Sequence, residues 1–155
     1  MNREILFRGK RIDNDEWVYG FLRCRNYIDV WTPHTWEEED GSTGEYATVE
    51  SYQVKPETVG QFTGLTDKND KKIFEGDIAR QTYEVCTQSL DLVGYHIGEV
   101  KISKHNGAII YRPYSYDSLY GENHKTKRLV NIAQYRSEVI GNIYDNPELL
   151  EVEND

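Results

Sequence analysis

Asp67, Asn69 and Asp70 lie in the most organised stretch of the chain, GLTDKNDKKIFEGDI (Gly64–Ile78), and oxygen-bearing side chains at that spacing raise the question of a cation. A calcium loop of the EF-hand type needs oxygen ligands at positions 1, 3 and 5, glycine at 6 and glutamate at 12. Counted from Asp67, position 3 is Asn69, but positions 5 and 6 are Lys71 and Lys72 and position 12 is Ile78. Two ammonium groups would stand where the ion should sit. The stretch also lacks the glycine spacing of a phosphate-binding loop. Asp and Asn instead bond their own backbone and tolerate left-handed conformations, so the stretch reads as a turn between strands. Ile73 and Phe74 open a strand, Glu75-Gly76-Asp77 bend it with Asp77 able to cap the turn, and Ile78 and Ala79 resume it.

Nucleophilic chemistry fares no better. Cys24 lies between Arg23 and Arg25, and two cations would favour a thiolate. The preferred reading is a strand with Cys24 alternating inward and both arginines facing out. No G-x-S-x-G elbow occurs. The histidines, His34, His96, His105 and His124, fall in four separate segments, none at metal-ligand spacing. His105 precedes the Asn106-Gly107 turn and is expected to be exposed; His34 is expected to contact an aromatic ring. Cys24 and Cys86 match neither C-x-x-C nor C-x-x-H, which fits free thiols in a reducing compartment. With 27 acidic residues, no particular carboxylate pair can be singled out. No catalytic residue, metal ligand or cofactor is assigned.

Charge and aromatics point to binding. The net charge of −9 opposes generic contact with nucleic acid or a membrane surface. HKTKR (His124–Arg128) reads as a solvated basic loop. Glu37, Glu38, Glu39 and Asp40 are four adjacent carboxylates that cannot all face one ion. They read as part of a solvated loop, Thr35–Tyr46. Trp31, Trp36 and Tyr46 flank it, so Trp31, Trp36, Glu37, Glu38, Glu39, Asp40 and Tyr46 form the candidate interaction surface.

The elements that must position these groups are strands. Hydrophobic residues recur mainly with period two. Ile5 and Phe7 share one face of REILFRG. Trp17, Tyr19 and Phe21 share one face of EWVYGFL, and Asp13-Asn14-Asp15 turns the chain between these two strands. NYIDVWT is a third strand, expected to end at Pro33, and alternation resumes in TVESYQVKP. Asn106-Gly107 marks a hairpin between EVKIS and AIIYRP. Residues 80–102 are ambiguous and could continue as a strand, a loop and a strand, Tyr114–Arg128 reads as a long loop or a weak short helix, and Leu129, Ile132, Tyr135 and Val139 suit a helix of two to three turns. EVIGNIY then forms a strand before the turn in DNPELL. No apolar run is long enough to span a bilayer, and MNREILFRGK lacks the apolar centre of a signal peptide, which predicts a cytoplasmic protein.

Three motifs, REILFRG, VGQFTGLTDKNDKKIFEGDIA and EVIGNIYDNPELL, occur in an order that resembles the YopX family of phage and prophage proteins, over nearly the whole chain. Asp70 stands where a glycine is common in that family, which favours a loop longer than a two-residue Asn-Gly turn. Ala79 stands where a bulkier residue is usual, which implies a tighter neighbour. The resemblance implies a mainly β protein with a smaller β-rich N-terminal region (1–56), a small SH3-like β-barrel (57–150) and a tail (151–155). The short strands, the Gly76 bend and the Asn106-Gly107 hairpin agree with a barrel. It implies a homo-oligomer, and no catalytic residues. The expected function is that of a phage accessory protein acting in the host cytoplasm. It would be non-enzymatic and cofactor-free, and would work by self-assembly and binding of a host or phage protein. Two alternatives are carried. One is single-stranded nucleic-acid binding through Tyr111, Arg112, Tyr114, Lys125, Lys127 and Arg128. The other is an acidic inhibitor of a host nucleic-acid enzyme.

Overall fold

Side chains that bond their own backbone set most of the corners of this molecule. The computed structural model describes residues 4–82, 94–117, 122–125 and 129–151, with backbone alone at 112, 117 and 122–125. Cys86, Lys127 and Arg128, and the ambiguous stretch after Thr82, lie outside the described residues. The described chain is mainly β, in two antiparallel sheets, and neither sheet closes on itself. No helix among the described residues is long and apolar enough to cross a membrane. The chain divides into two units, one ending at Gln61 and the other beginning at Phe62.

In the first unit, β1 (Phe7–Lys10), β2 (Trp17–Cys24), β3 (Tyr27–Glu37) and β4 (Thr43–Gln53) form an antiparallel meander. The beginning of β5 (Gly60–Thr66) pairs with β1, Gln61 opposite Phe7. The β1–β2 corner forms where Asp13–Asp15 places it: Asp15 is left-handed (φ 59°), and the Asn14 side chain accepts from the Glu16 amide at 3.0 Å. Ile28 and Val54 are fully buried. Gly9 and Gly20 let backbones close over them: a Cβ on Gly20 would lie 2.2 Å from the Asp29 carbonyl oxygen. Gly20 therefore faces inward, and alternation sends Tyr19 and Phe21 to solvent.

Three expectations for this unit are corrected. Cys24 is exposed rather than inward, because the β2–β3 register shifts between Leu22 and Cys24 at the hairpin end. Strand β3 does not stop at Pro33 but continues to Glu37. The paired stretch with β2 covers only Tyr27–Asp29, so Pro33 sits on an edge, where a proline is tolerated. The acidic loop is correspondingly shorter than Thr35–Tyr46, since Glu37 and Thr43 still pair.

The second unit contains the rest of β5 and β6 (Lys72–Phe74), β7 (Asp77–Thr82), β8 (Gly94–Ser103), β9 (Gly107–Asp117), β10 (Glu122–Lys125), β11 (Leu129–Asn131) and β12 (Ser137–Asn142). Its sheet runs β10-β9-β8-β7-β12, with β11 also on β9. Ile73, Ala79, Val100 and Ile110 form the buried cluster, with Leu65, Val130, Ile132 and Val139 packed against it. The β8–β9 hairpin turns at Lys104–Asn106, with Gly107 left-handed (φ 70°) and His105 exposed. At the Gly76 bend (φ 87°), Asp77 accepts from the Phe74 amide at 2.8 Å.

Two further expectations give way. No helix forms over Leu129–Val139; the segment is β11, one 3₁₀ turn (Gln134–Arg136) and β12. The reason is a buried amide. Gln81 donates to the Asn131 carbonyl at 3.0 Å and accepts from the Ala133 amide at 2.8 Å and the Ser137 hydroxyl at 2.7 Å. These bonds hold the backbone extended on either side of a single turn. Tyr114–Arg128 is neither loop nor helix at its start: β9 runs on to Asp117 and β10 pairs back against Tyr114–Asp117.

The Asp67–Asp70 turn is bonded to the last strand. Asp67 is buried; one carboxylate oxygen accepts from the amides of Asn69 (2.8 Å) and Lys71 (3.0 Å), the other from Val139 (2.9 Å). The Lys68 amide donates to the Ser137 carbonyl at 2.9 Å. Burial would push the Asp67 pKa up, but the amides of Val139, Asn69 and Lys71 and the Lys71 charge outweigh it and hold the pKa below the usual aspartate value. Its folded pKa is therefore depressed. The stabilisation is complete above the unfolded value, about 3.9, and is lost as pH falls through the lower folded value. Asp67→Asn should cost about 1–3 kcal/mol at neutral pH. Urea unfolding followed by circular dichroism should show the gap from wild type closing toward acid pH.

Candidate interaction surface

Beyond Val30, β4 is the only described strand that pairs with β3, and the two strands form an antiparallel ribbon from Trp31↔Val49 to Glu37↔Thr43. Its sequence suits a pleated surface: Thr, Val, Trp and Tyr alternate with polar residues. The tip is tied by local bonds. The Glu38 amide donates to the Ser42 carbonyl at 2.9 Å, Gly41 is left-handed (φ 85°), and Asp40 accepts from the Ser42 amide (2.9 Å) and hydroxyl (2.5 Å). The Ser42 hydroxyl and amide hold the Asp40 pKa below its usual value. Asp40 is thus a turn-former. Among the described residues no three His, Cys, Asp or Glu side chains group as a metal site.

The ribbon distributes the seven expected surface residues over two faces and a tip. Trp36 and Tyr46 share one face with His34, whose ring stacks on Tyr46 at 5.0 Å and bonds the Thr48 hydroxyl at 2.9 Å. The Trp36 indole lies across Gly44, where a Cβ would come within 2.4 Å of the ring. Glu38, Glu39 and Asp40 form the tip, and Glu37 closes the ladder opposite Thr43. Trp31 lies on the opposite face. There it meets Phe21 of β2 edge to face, ring centroids 6.2 Å apart, beside Tyr19 and Val49. These four side chains are 46–57% exposed.

Tyr19 and Phe21, read from sequence as sharing a strand face with Trp17, and Val49 were left out of the expected surface, although the inward demand of Gly20 carries the signal. A second signal is compositional: from Trp31 to Gln53 the chain has six acidic residues and no lysine or arginine. Two shallow hollows flank β4 at its ends. One is lined by Thr35, Trp36, Thr43 and Glu45, the other by Arg11, Asp13, Tyr52 and Gln53.

In the second unit, Tyr111 and Tyr114 fall on the face of the sheet away from the core. Tyr95 stacks on Tyr116 at 5.3 Å there, and Arg80 lies 6.0 Å from the Tyr95 ring. Arg80 is paired with Glu138 (3.0 Å), and Lys101, 4.1 Å from the Tyr111 ring, with Glu99 (3.8 Å). The side chains of Arg112 and Lys125 lie outside the described residues.

Such an architecture defines a mainly β protein of two antiparallel units whose first unit carries an acidic, aromatic ribbon. The chain belongs to the YopX family: the family model described as YopX protein matches residues 6–151. Among solved structures it is similar to the crystal structure of protein EF1440 from Enterococcus faecalis, with a TM-score of 0.51 and 21% identity over 97% of this chain and 100% of that one. That likeness shows the fold. No curated protein matches.

Phe21→Ala and Trp31→Ala should couple in a double-mutant cycle by about 0.5–1.5 kcal/mol. Gly20→Ala, which drives a methyl into the Asp29 carbonyl, should alone cost about 1–3 kcal/mol. All three tryptophans lie in residues 17–36, so tryptophan fluorescence during urea unfolding reads this unit.

Proposed function

We propose that this protein is a non-enzymatic phage or prophage accessory protein that acts in the host cytoplasm by self-assembly and protein binding. One observation carries the reading: the apolar face of Tyr19, Phe21, Trp31 and Val49, large side chains that each stand about half exposed. Exposed aromatic clusters of this kind serve as contact sites. The occupant proposed for this face is a second copy of the chain. The carboxylate beside it, Asp29, is paired with Arg23 (3.6 Å) and accepts a hydrogen bond from the Ser51 hydroxyl (2.6 Å). Two chains that each carry a net charge of −9 repel least where they meet through such a neutral patch.

The second unit is proposed to be a barrel of the SH3 type. Supporting this is its connectivity: β7, β8, β9 and β11 pair in sequence, a single 3₁₀ turn follows, and β12 returns to pair with β7. Register shifts between Ile97 and Glu99 and between Val139 and Gly141 are the bends that a small barrel uses to curl.

Self-assembly should strengthen with salt, because screening removes repulsion between like-charged copies while the apolar contact persists. Sedimentation equilibrium at about 50 and 500 mM NaCl should show a homo-oligomer favoured at the higher salt. Phe21→Ser with Trp31→Ser should dissociate it. A wild-type chain that stays monomeric at both salts overturns the reading.

A second reading, binding of single-stranded nucleic acid by the second unit, is favoured by the Tyr95–Tyr116 stack and its neighbours Tyr111 and Tyr114. Retention of an oligonucleotide on a filter at about 50 mM salt is the outcome this alternative requires. The paired state of Arg80 and Lys101 leads us to expect none.

A further inference from the structure

Strand β4 is the terminal strand of its sheet, and no described strand pairs with its outer side from Thr43 to Tyr52. Half of its backbone amides and carbonyls therefore point at solvent along ten residues. Natural sheets defend such edges with lysine, proline, bulges or a covering loop. Strand β4, TGEYATVESYQ, contains no lysine, arginine or proline, and its ladder with β3 runs eleven pairs without a bulge. The other open edge of the ribbon, on β3 beyond Val30, is interrupted by Pro33. Of the two edges, β4 alone is left ready to accept a strand.

Its surroundings select what that strand carries. Glu45 and Glu50 project from β4 itself, the acidic tip lies at one end, and the 23 residues from Trp31 to Gln53 hold −6 of the chain's −9 with no compensating cation. A second copy laid along this edge would bring six more negative charges against them. We propose that the β4 edge, Thr43–Tyr52, is a strand-addition site for an extended, basic segment of a different protein. Main-chain bonds to β4 would supply the affinity, and lysine or arginine side chains facing Glu45 and Glu50 the selectivity. Trp36 and Tyr46 on one face of the ribbon and Ala47 on the other would offer apolar contact to the alternate side chains of the incoming strand.

The inference rests on the reading of this protein as a binding protein, but it uses a different surface from the proposed self-assembly face. The probe is a synthetic peptide of about nine residues of valine with lysines placed on both faces, added to the full chain and followed by fluorescence titration and hydrogen exchange. The expected result is saturable binding, with new protection of amides on β4 and little elsewhere. Binding should weaken as NaCl rises from about 50 to 500 mM, the opposite of self-assembly. A peptide N-methylated at alternate amides keeps every charge but cannot pair as a strand, and should bind at least about tenfold more weakly. E45K and E50K together should weaken the lysine peptide by about tenfold without unfolding the chain, as checked by circular dichroism. Absence of binding overturns the proposal. So does equal binding by the N-methylated peptide or by a glutamate–valine peptide, or protection that falls outside β4. None of these outcomes touches the sedimentation result, so the two readings fail separately.

Discussion

One buried carboxylate organises the second unit. Asp67 gathers the amides of Asn69, Lys71 and Val139, so a local turn and the final strand share one acceptor group. The cost of burying the charge is offset because each donor is a backbone amide that would otherwise need a partner of its own. The geometry also explains why this acid-rich turn is not a cation site. Both oxygens of its most buried carboxylate already accept bonds, and Lys71 lies within the same loop. Gln81 plays the neutral counterpart, bridging Asn131, Ala133 and Ser137 with a side chain that carries no charge at any pH.

What was legible in the sequence was the chemistry of short range. Asp67–Asp70, Gly76-Asp77, Asp13–Asp15 and Asn106-Gly107 turn the chain where their side chains or their tolerance of positive φ predict. The closing motif follows the same logic. Asn142 accepts from the amides of Tyr144 and Asp145, and Gly141 leaves room for Asn146, whose oxygen would lie 2.6 Å from a Cβ there. Long-range effects were illegible. The three- and four-residue spacing of Leu129, Ile132, Tyr135 and Val139 mimics a helix because β11, a single turn and β12 happen to place apolar groups at similar intervals. Long-range partners decide the matter: Gln81, some fifty residues away, and Asp67, which bonds Val139.

The surface was legible in kind but not in arrangement. The sequence marks the acidic tip and its aromatic neighbours. It does not say how far the ladder extends, and in a strand each added residue decides which face the next side chain occupies. Extending β3 through Pro33 to Glu37 separates Trp31 from Trp36 and Tyr46 and joins it to Phe21, ten residues earlier in the chain. Cys24 shows the same dependence: one irregularity between Leu22 and Cys24 turned an expected core thiol outward.

Pro33 has a consequence beyond letting β3 reach the tip. A ribbon receptive on both sides is a template: each strand it accepts can be followed by another ribbon, and the product is an open-ended fibre. A ribbon with one side interrupted is a chain terminator. It can be capped once and grows no further, so exposed backbone is compatible with a soluble, finite complex.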